Sequence, residues 1–294
     1  MTASDRDRSG PSRDPGQEWP ARQRPARRRI FIAVDDTPSA RASTVFAARL
    51  AALSEADLAA LFVEEENVHQ AAGFPVGFQM TRTGRPLPAI RESLEEAYRA
   101  QARNLRALVQ DIAQSAHVQW SFDVRRGRLV ATVTAEATAR DMVVLRAADC
   151  RAGELDASAR HAVTVRGAHL LIIGTEDKAL GVFAASRPRS GGRAIAPACL
   201  AVSTGSKLSE AALSEARALA ERGGLSLHVI DGQRMPPEEV ADLARARHAA
   251  LIVFSRDYLM PEADRAAPAQ ALTPSRFADA AQCPILIISG AGSD

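Results

Sequence analysis

The sequence predicts an α/β protein whose two consecutive halves each wind helices around a parallel sheet. Short apolar runs alternate with longer segments whose apolar residues recur every three or four positions. This alternation stops over residues 176–196, which are rich in Arg, Pro, Ser and Gly, and then begins again. Alternating strands and helices favour parallel sheets with right-handed crossovers, so we expect two such units joined by a linker at 176–196.

The first half spans residues 29–175 and begins with the apolar run 30–34. Such a run is typical of a strand that is buried on both faces. Thr37 and Pro38 follow as the N-cap and first residue of a helix. The remaining elements are predicted in this order: a strand at 58–63, a loop at 64–89, a helix at 90–112, a strand at 117–124, a helix at 129–137, a strand at 142–145, a helix at 156–166 and a strand at 170–174.

The second half spans residues 197–294 and repeats the alternation with one unit fewer. Strands are predicted at 199–202, 225–230, 251–254 and 285–288, with helices at 207–222, at 236–248 and before the last strand. Four strands stand against five in the first half. We therefore expect the second domain to be a shortened copy that lacks one strand–helix unit.

Composition excludes several classes of protein. The chain has 294 residues, of which 46% are hydrophobic and 24% charged, which is ordinary for a globular protein of two domains. An aromatic content of 4% argues against a stacking platform for single-stranded nucleic acid. The sequence shows no membrane-length apolar run and no signal-like N-terminus, which predicts a cytoplasmic protein with no membrane contact.

Residues 1–28 are predicted to be a disordered tail, because they are polar and Pro-rich with no apolar periodicity. Residues 1–29 carry eight Arg against four acids, whereas the rest of the chain carries 29 basic against 31 acidic residues. The folded body is therefore not a basic nucleic-acid binder. A solvated tail is expected, and the alternative is that its Arg cluster contacts nucleic acid or acidic lipid.

Several segments together resemble the universal stress protein family. Residues 28–63, RRIFIAVDDTPSARASTVFAARLAALSEADLAALFV, resemble the family's opening strand ending in V-D-G-S, its Ala-rich helix and its second strand. Residues 124–145 resemble the third helix and fourth strand, and residues 282–289 resemble the closing strand. Residues 197–230 resemble a second copy of the opening. The resemblance implies two flavodoxin-like domains with strand order 3-2-1-4-5, the second one shortened.

The resemblance also implies where a ligand would lie. One branch of the family binds ATP beyond the carboxyl ends of the strands, at the point where the strand order reverses. Asp35 matches the Asp of V-D-G-S, Asp36 and Thr37 replace its Gly and Ser, and Val63 matches the position whose backbone meets adenine. Ser203 stands at the place of the Asp in the second half. The alternative is that Asp35, Asp36 and Thr37 only cap and start a helix.

The phosphate-binding loop of the ATP-binding branch, G-x2-G-x9-G-[ST], is absent from both halves. Gly153 is the one glycine in the segment RAADCRAGELDAS after the strand predicted at 142–145, and the segment SRDYLMPEADRAAPAQALTPS after the strand predicted at 251–254 contains none. Thr273 and Ser275 fall near the loop's final G-[ST] position. Glycine allows the backbone to approach phosphates closely, so the resemblance predicts degenerate nucleotide-binding loops.

Arg146 follows the strand predicted at 142–145 and should share a crevice with Asp35, Asp36, Thr37 and Asp149. A helix N-terminus and an Arg favour phosphate, but the adjacent aspartates oppose it. The crevice thus suits a neutral or base-like group, or a phosphate bridged by Mg²⁺. The alternative is that Arg146 neutralises Asp35 or Asp36 in a crevice that binds nothing.

The sequence lacks the common catalytic and metal-binding motifs. The sequence contains no His-x3-His, Walker A loop, G-x-G-x-x-G or G-x-S-x-G motif. Cys199 and Cys283 lie in predicted strands and are expected to be inert packing groups, while Cys150 near Arg146 and Arg151 is the more reactive candidate.

The sequence therefore predicts a non-catalytic regulator, related to universal stress proteins and expected in a bacterial stress response, that binds a small ligand or a protein and has no cofactor or metal. Two alternatives remain: a member that binds ATP with Mg²⁺ in the first half and hydrolyses it weakly, and a nucleic-acid-associated regulator that uses the tail. We also expect the two halves to pair within the chain, with 170–173 and 285–288 near the interface, and a homodimer is possible.

Overall fold

A computed structural model describes residues 27–65, 90–149, 154–164, 166–175, 197–259 and 273–290. Most of the predicted tail, the linker at 176–196 and the predicted loop from residue 66 to residue 89 lie outside the described residues. Cys150 and Gly153 also lie outside them.

The first half contains five strands and four α-helices among the described residues. In chain order they are β1 (Arg29–Ala33), α1 (Pro38–Leu53), β2 (Asp57–Glu65), α2 (Ile90–Ala116), β3 (Trp120–Gly127), α3 (Leu129–Glu136), β4 (Met142–Arg146), α4 (Glu154–Thr164) and β5 (His169–Ile173). A short 3₁₀ turn over Ala147–Asp149 follows β4.

The second half contains four strands and four α-helices among the described residues. They are β6 (Ala198–Ser203), α5 (Lys207–Gly223), β7 (Ser226–Asp231), α6 (Pro237–Ala246), β8 (Ala249–Ser255), α7 (Arg256–Leu259), α8 (Pro274–Ala281) and β9 (Ile285–Ile288).

All nine strands form one mixed sheet in the order β3-β2-β1-β4-β5-β9-β8-β6-β7. The expectation of a separate parallel sheet in each half was wrong, because β5 and β9 pair antiparallel and join the two halves. The seam places Leu171 opposite Leu286. These are the two segments expected near the interface. Their pairing satisfies backbone groups that would otherwise lie at two open sheet edges.

The predicted order 3-2-1-4-5 is confirmed for the first half, where all strand pairs are parallel. The second half departs from it. Its strands run β7-β6-β8-β9, which corresponds to 2-1-4-5 when they are numbered as in the first half. Within the described part of this half, the strand that is absent is thus the third one, together with the helix that precedes it.

Helices cover both faces of the sheet, so the central strands are buried on both sides. Helices α1, α2 and α5 contribute to the apolar core on one face. Helices α3, α4, α6 and α8 contribute to the core on the other face. This arrangement explains why the strands read as continuous apolar runs rather than as alternating ones.

The third strand begins at Trp120, three residues later than the predicted start at residue 117. Helix α2 continues to Ala116, and His117 then adopts a left-handed conformation with φ 56°. The amide of Val118 donates to the Ala113 carbonyl at 3.0 Å and closes the helix. Residues 117–119, which the sequence predicts as the start of the strand, therefore end the helix and connect it to β3.

Candidate functional site

The candidate site is the crevice beyond the carboxyl ends of β1, β2 and β4, here called the Asp35 crevice. Ala33 pairs with Leu61 of β2, so the continued register places Asp35 level with Val63. On the other side, Ile32 pairs with Val144 of β4, which brings Arg146 beside the end of β1. The fold therefore gathers Asp35, Thr37, Val63 and Arg146 at the point where the strand order reverses.

Thr37 is the N-cap of α1, as the sequence predicts. Its hydroxyl oxygen accepts a hydrogen bond from the Ala40 amide at 3.2 Å, and Pro38 occupies the first helical turn. The Thr37 amide donates to Asp35 Oδ1 at 2.7 Å, and its hydroxyl donates to the same oxygen. Asp35 thus stabilises the turn into α1.

Arg146 forms an ion pair with Asp35. Its Nη2 donates to Asp35 Oδ2 at 2.6 Å, and the side chains are 3% and 29% exposed, respectively. A guanidinium buried this deeply requires a charged partner. The interpretation in which Arg146 neutralises Asp35 describes this contact.

The electrostatics of the crevice keep Asp35 ionised. Partial burial raises the pKa of Asp35, but hydrogen bonds from Thr37 and Arg146 outweigh this effect and hold the pKa below its ordinary value. Asp36 is exposed and adds a second negative charge at the mouth of the crevice. Val63 is buried, so its side chain contributes to the core rather than to the mouth.

The second half places its acid differently. The N-cap of α5 is Ser206, whose hydroxyl oxygen accepts from the Ser209 amide at 3.1 Å. Counting back from the two N-caps matches Asp35 with Thr204, not with Ser203 as the sequence predicts. The Thr204 hydroxyl donates to Asp257 Oδ2 at 2.9 Å, and Asp257 follows β8. In the second half the acid therefore follows β8, which corresponds to β4 of the first half, and does not lie in the turn after the half's first strand.

Asp257 is ionised for the same kind of reason as Asp35. Burial raises its pKa, but hydrogen bonds from Ser255, Ser206 and Thr204 outweigh burial and hold the pKa below its ordinary value. Asp257 is not among the site residues that the sequence predicts. Its place two residues after an apolar strand is the signal that could have identified it.

A carboxylate from the first half binds the N-terminus of α8. The Ser275 amide donates to Asp156 Oδ1 at 2.9 Å, and the Ser275 hydroxyl donates to Asp156 Oδ2 at 2.8 Å. Thr273 and Ser275 are the residues that the resemblance puts near the final G-[ST] of the phosphate-binding loop. Here Asp156 of α4 supplies the negative charge that a helix N-terminus favours.

Other potential sites are less developed. An open cleft of about 340 Å³ lies between α3 and α4 and shares no lining residue with the Asp35 crevice. Within the described ranges, no group of three His, Cys, Asp or Glu side chains is arranged to hold a metal ion. Cys199 is buried, and burial raises its pKa to about 12. None of the helices in the described part of the chain combines the length and the apolar character needed to cross a membrane.

Comparison with known proteins supports the fold. No protein-family model and no curated protein matches this chain. The structure is similar to that of a universal stress protein from Archaeoglobus fulgidus DSM 4304, with a TM-score of 0.54 and 10% sequence identity over 88% of this chain and 95% of that one. A putative universal stress protein from Pseudomonas aeruginosa UCBPP-PA14 matches with a TM-score of 0.47 and 14% identity over 90% of this chain and 93% of that one. The match to the Archaeoglobus fulgidus protein confirms the resemblance in the sequence at the level of the fold.

Proposed function

We propose that this chain is a non-catalytic, cytoplasmic binding protein of the universal stress type, which regulates a stress response through a small ligand or a protein partner. The observation that carries the proposal is the Asp35–Arg146 ion pair at the carboxyl ends of β1 and β4. The ion pair decides which chemical groups the crevice can accept.

A free phosphate is a poor ligand for the Asp35 crevice. Arg146 is the cation that would attract it, and its Nη2 is already bonded to Asp35. Asp35 and the exposed Asp36 would both lie near the phosphate, and like charges at such distances repel. A neutral, base-like group that hydrogen-bonds to Asp35 and to the backbone of β2 avoids this repulsion. A phosphate bridged by Mg²⁺ is the second candidate.

The second half is also unsuited to a triphosphate. The N-terminus of α8, which could otherwise bind an anion, holds the Asp156 carboxylate through two hydrogen bonds. Asp257 adds a further negative charge near the end of β6. Both features support a role in which the second half binds no nucleotide.

The protonation state of Asp35 supports binding rather than turnover. A general base is most effective when its pKa lies near the working pH. The pKa of Asp35 lies below its ordinary value, because Thr37 and Arg146 stabilise the carboxylate. Asp35 is therefore a weak base at neutral pH, and weak ATP hydrolysis remains the alternative that the experiment must address.

Titration calorimetry with adenosine, ATP and ATP–Mg tests the proposal, with adenosine as the neutral base-like probe. For the wild type we expect adenosine to bind at least as tightly as ATP without Mg²⁺. Asp35→Asn should weaken adenosine binding at least tenfold, whereas the control Asp36→Asn should leave it unchanged. Thermal unfolding of each variant checks that the fold is intact.

A second measurement addresses the nucleotide-binding alternative directly. The purified protein is denatured, and the released small molecules are identified by mass spectrometry. ATP recovered at near one per chain would overturn the proposal in favour of an ATP-binding protein. Adenosine binding that does not respond to Asp35→Asn would remove the Asp35 crevice as the binding site.

A further inference from the structure

The second half leaves one strand of the sheet uncovered. Strand β7 corresponds to β2 of the first half, but among the described residues it pairs only with β6, whereas β2 pairs with both β1 and β3. On the face that carries α1, α2 and α5, Ala60 of β2 is 1% exposed and the matched Val229 of β7 is 54% exposed. The absence of a third strand and its helix therefore exposes an apolar position.

The match between these two residues follows from strand register. Ala33 of β1 lies four residues before the N-cap of α1 and pairs with the residue that follows Ala60. Val202 of β6 lies four residues before the N-cap of α5 and pairs with the residue that follows Val229.

The backbone of β7 presents hydrogen-bonding groups at this open edge. The amides of Ser226 and Gly232 both donate to carbonyls of the β6 segment, at 3.0 and 2.8 Å. Backbone groups alternate between the two sides of a strand, so those of Leu227 and Val229 point away from β6. These groups can accept an added strand.

The opposite edge of the sheet, β3, carries the complementary features. Val124 of β3 is 41% exposed, and within the described ranges it and Val229 are the exposed large apolar side chains. The amide of Leu58 in β2 donates to the Gln119 carbonyl at 2.9 Å, so the even-numbered residues of β3 point outward. Phe122 packs against the same core face as Leu227 of β7.

We propose that β3 of one copy of this chain pairs antiparallel with β7 of a second copy and takes the place of the missing third strand. Strands β3 and β7 lie at opposite edges of one sheet and run in opposite directions. When a second copy is placed beside the first by translation, its β3 therefore lies antiparallel to β7 of the first copy. The helix-covered faces of the two sheets then point the same way. One register brings the apolar residues of the two strands together. It places Phe122 opposite Val229 and Val124 opposite Leu227.

Charge selects this occupant and this register. The same alignment places Asp123 of β3 opposite His228 of β7, whose ring nitrogen lies 3.0 Å from Arg247 Nη1. Asp123 thus meets a basic pair across the contact. Pairing of two β7 strands about His228 would instead bring two His228 rings and two Arg247 side chains together. Charge complementarity therefore favours β3 over a second β7 as the partner strand.

The contact requires one small rearrangement. The outward carbonyl of Val124 accepts a 3.4 Å hydrogen bond from the exposed Arg125 guanidinium, and strand pairing replaces that bond. Because the two edges differ, a pair of copies still has one free β7 edge, on one copy, and one free β3 edge, on the other. Head-to-tail contacts of this kind continue to a third copy and beyond unless the assembly closes into a ring.

Two single variants and their mixture test the proposal. Val124→Lys damages only the β3 edge, and Val229→Lys damages only the β7 edge. We expect the wild-type chain to grow past dimers in sedimentation velocity as its concentration rises, and each single variant to stay monomeric. An equimolar mixture should form dimers and stop there, because one intact β3 edge meets one intact β7 edge. Thermal unfolding should be unchanged for both exposed positions.

Other results would contradict the proposed pairing of β3 with β7. A wild-type chain that stays monomeric from micromolar to near-millimolar concentration would overturn the proposal. A Val124→Lys variant that still associates would point to pairing between two β7 strands and would also overturn it. A charge exchange tests the register: Asp123→Lys should weaken association at least tenfold, and adding His228→Asp should restore it, whereas a failure to restore would overturn the register.

Discussion

Asp156 of the first half caps helix α8 of the second half through Ser275. The two carboxylate oxygens accept separately from the Ser275 amide and hydroxyl, at 2.9 and 2.8 Å. In the reverse direction, Asp279 of α8 accepts from the Thr175 amide at 2.9 Å, just after β5. Each half therefore provides a carboxylate that accepts hydrogen bonds from the other half across the β5–β9 seam, in addition to sharing one sheet.

Removal of the Asp156 carboxylate should destabilise the whole chain. Asp156→Ala leaves the N-terminus of α8 without its acceptor, and we expect a loss of about 1–3 kcal/mol in the free energy of unfolding. Urea unfolding measures the loss. The control Asp111→Ala changes an exposed acid of α2 and should have little effect. In a double-mutant cycle with Ser275→Ala, additive losses would contradict the pairing.

The two halves should remain associated after the connection between them is cut. A protease site introduced within residues 176–196 allows cleavage of the folded protein. The antiparallel β5–β9 pairing and the two carboxylate contacts should then hold the fragments together, so that they sediment as one species at micromolar concentration. Fragments that separate freely at that concentration would show that the seam is weak.

His169 should make the protein less stable in mild acid. It begins β5, its Nδ1 accepts from the Ser289 amide at 3.2 Å, and burial together with the nearby Arg28 lowers its pKa from 6.5 to about 3. Between these values the unfolded chain binds a proton that the folded chain does not. The stabilising contribution is complete above pH 6.5 and is lost as the pH falls towards 3.

The expected loss between pH 6.5 and pH 5 is about 2 kcal/mol, since each pKa unit corresponds to about 1.4 kcal/mol. Urea unfolding at several pH values should show a shallower pH dependence for His169→Gln than for the wild type. His161→Gln, which changes an exposed histidine of α4, serves as the control and should keep the wild-type slope. Equal slopes for all three proteins would contradict a half-buried His169 that stays neutral in the folded chain.

The Asp35–Arg146 pair should respond asymmetrically to substitution. Asp35→Ala removes one carboxylate from the buried Arg146 charge, and we expect a loss of about 1–3 kcal/mol, less than for a fully buried pair because Asp35 is partly exposed. Asp35→Ala combined with Arg146→Met should recover part of this loss. The exposed Asp36→Ala should be close to neutral. Urea unfolding compares the four proteins, and a double variant no more stable than Asp35→Ala would contradict the account.

Local features of the fold could be predicted from the sequence because neighbouring residues decide them. The run at 30–34 is apolar at each position, and such a run forms a strand wherever helices cover both faces of a sheet. Thr37 followed by Pro38 starts a helix through contacts that span three residues. The resemblance to universal stress proteins rested on the order of such local segments, and the fold confirms it.

Relations between distant residues required the tertiary structure. Asp156 and Ser275 are 119 positions apart, and nothing near either residue indicates the other. In the second half, Thr204 stands at the position of Asp35, and Asp257 supplies the carboxylate. Asp257 reaches Thr204 only because of the register between β6 and β8, and a shift of one residue would pair Thr204 with a different residue.

The alternation of strands and helices, the Thr37 cap and the missing unit of the second half follow from the sequence alone, because periodicity and capping are properties of short segments. The tertiary structure is needed to show that the halves share one sheet and that Arg146 pairs with Asp35 rather than with Asp36. It is also needed to show that Val229 is exposed at the edge of the sheet. Those outcomes depend on which backbone edges and charges come within hydrogen-bonding distance once the chain has folded.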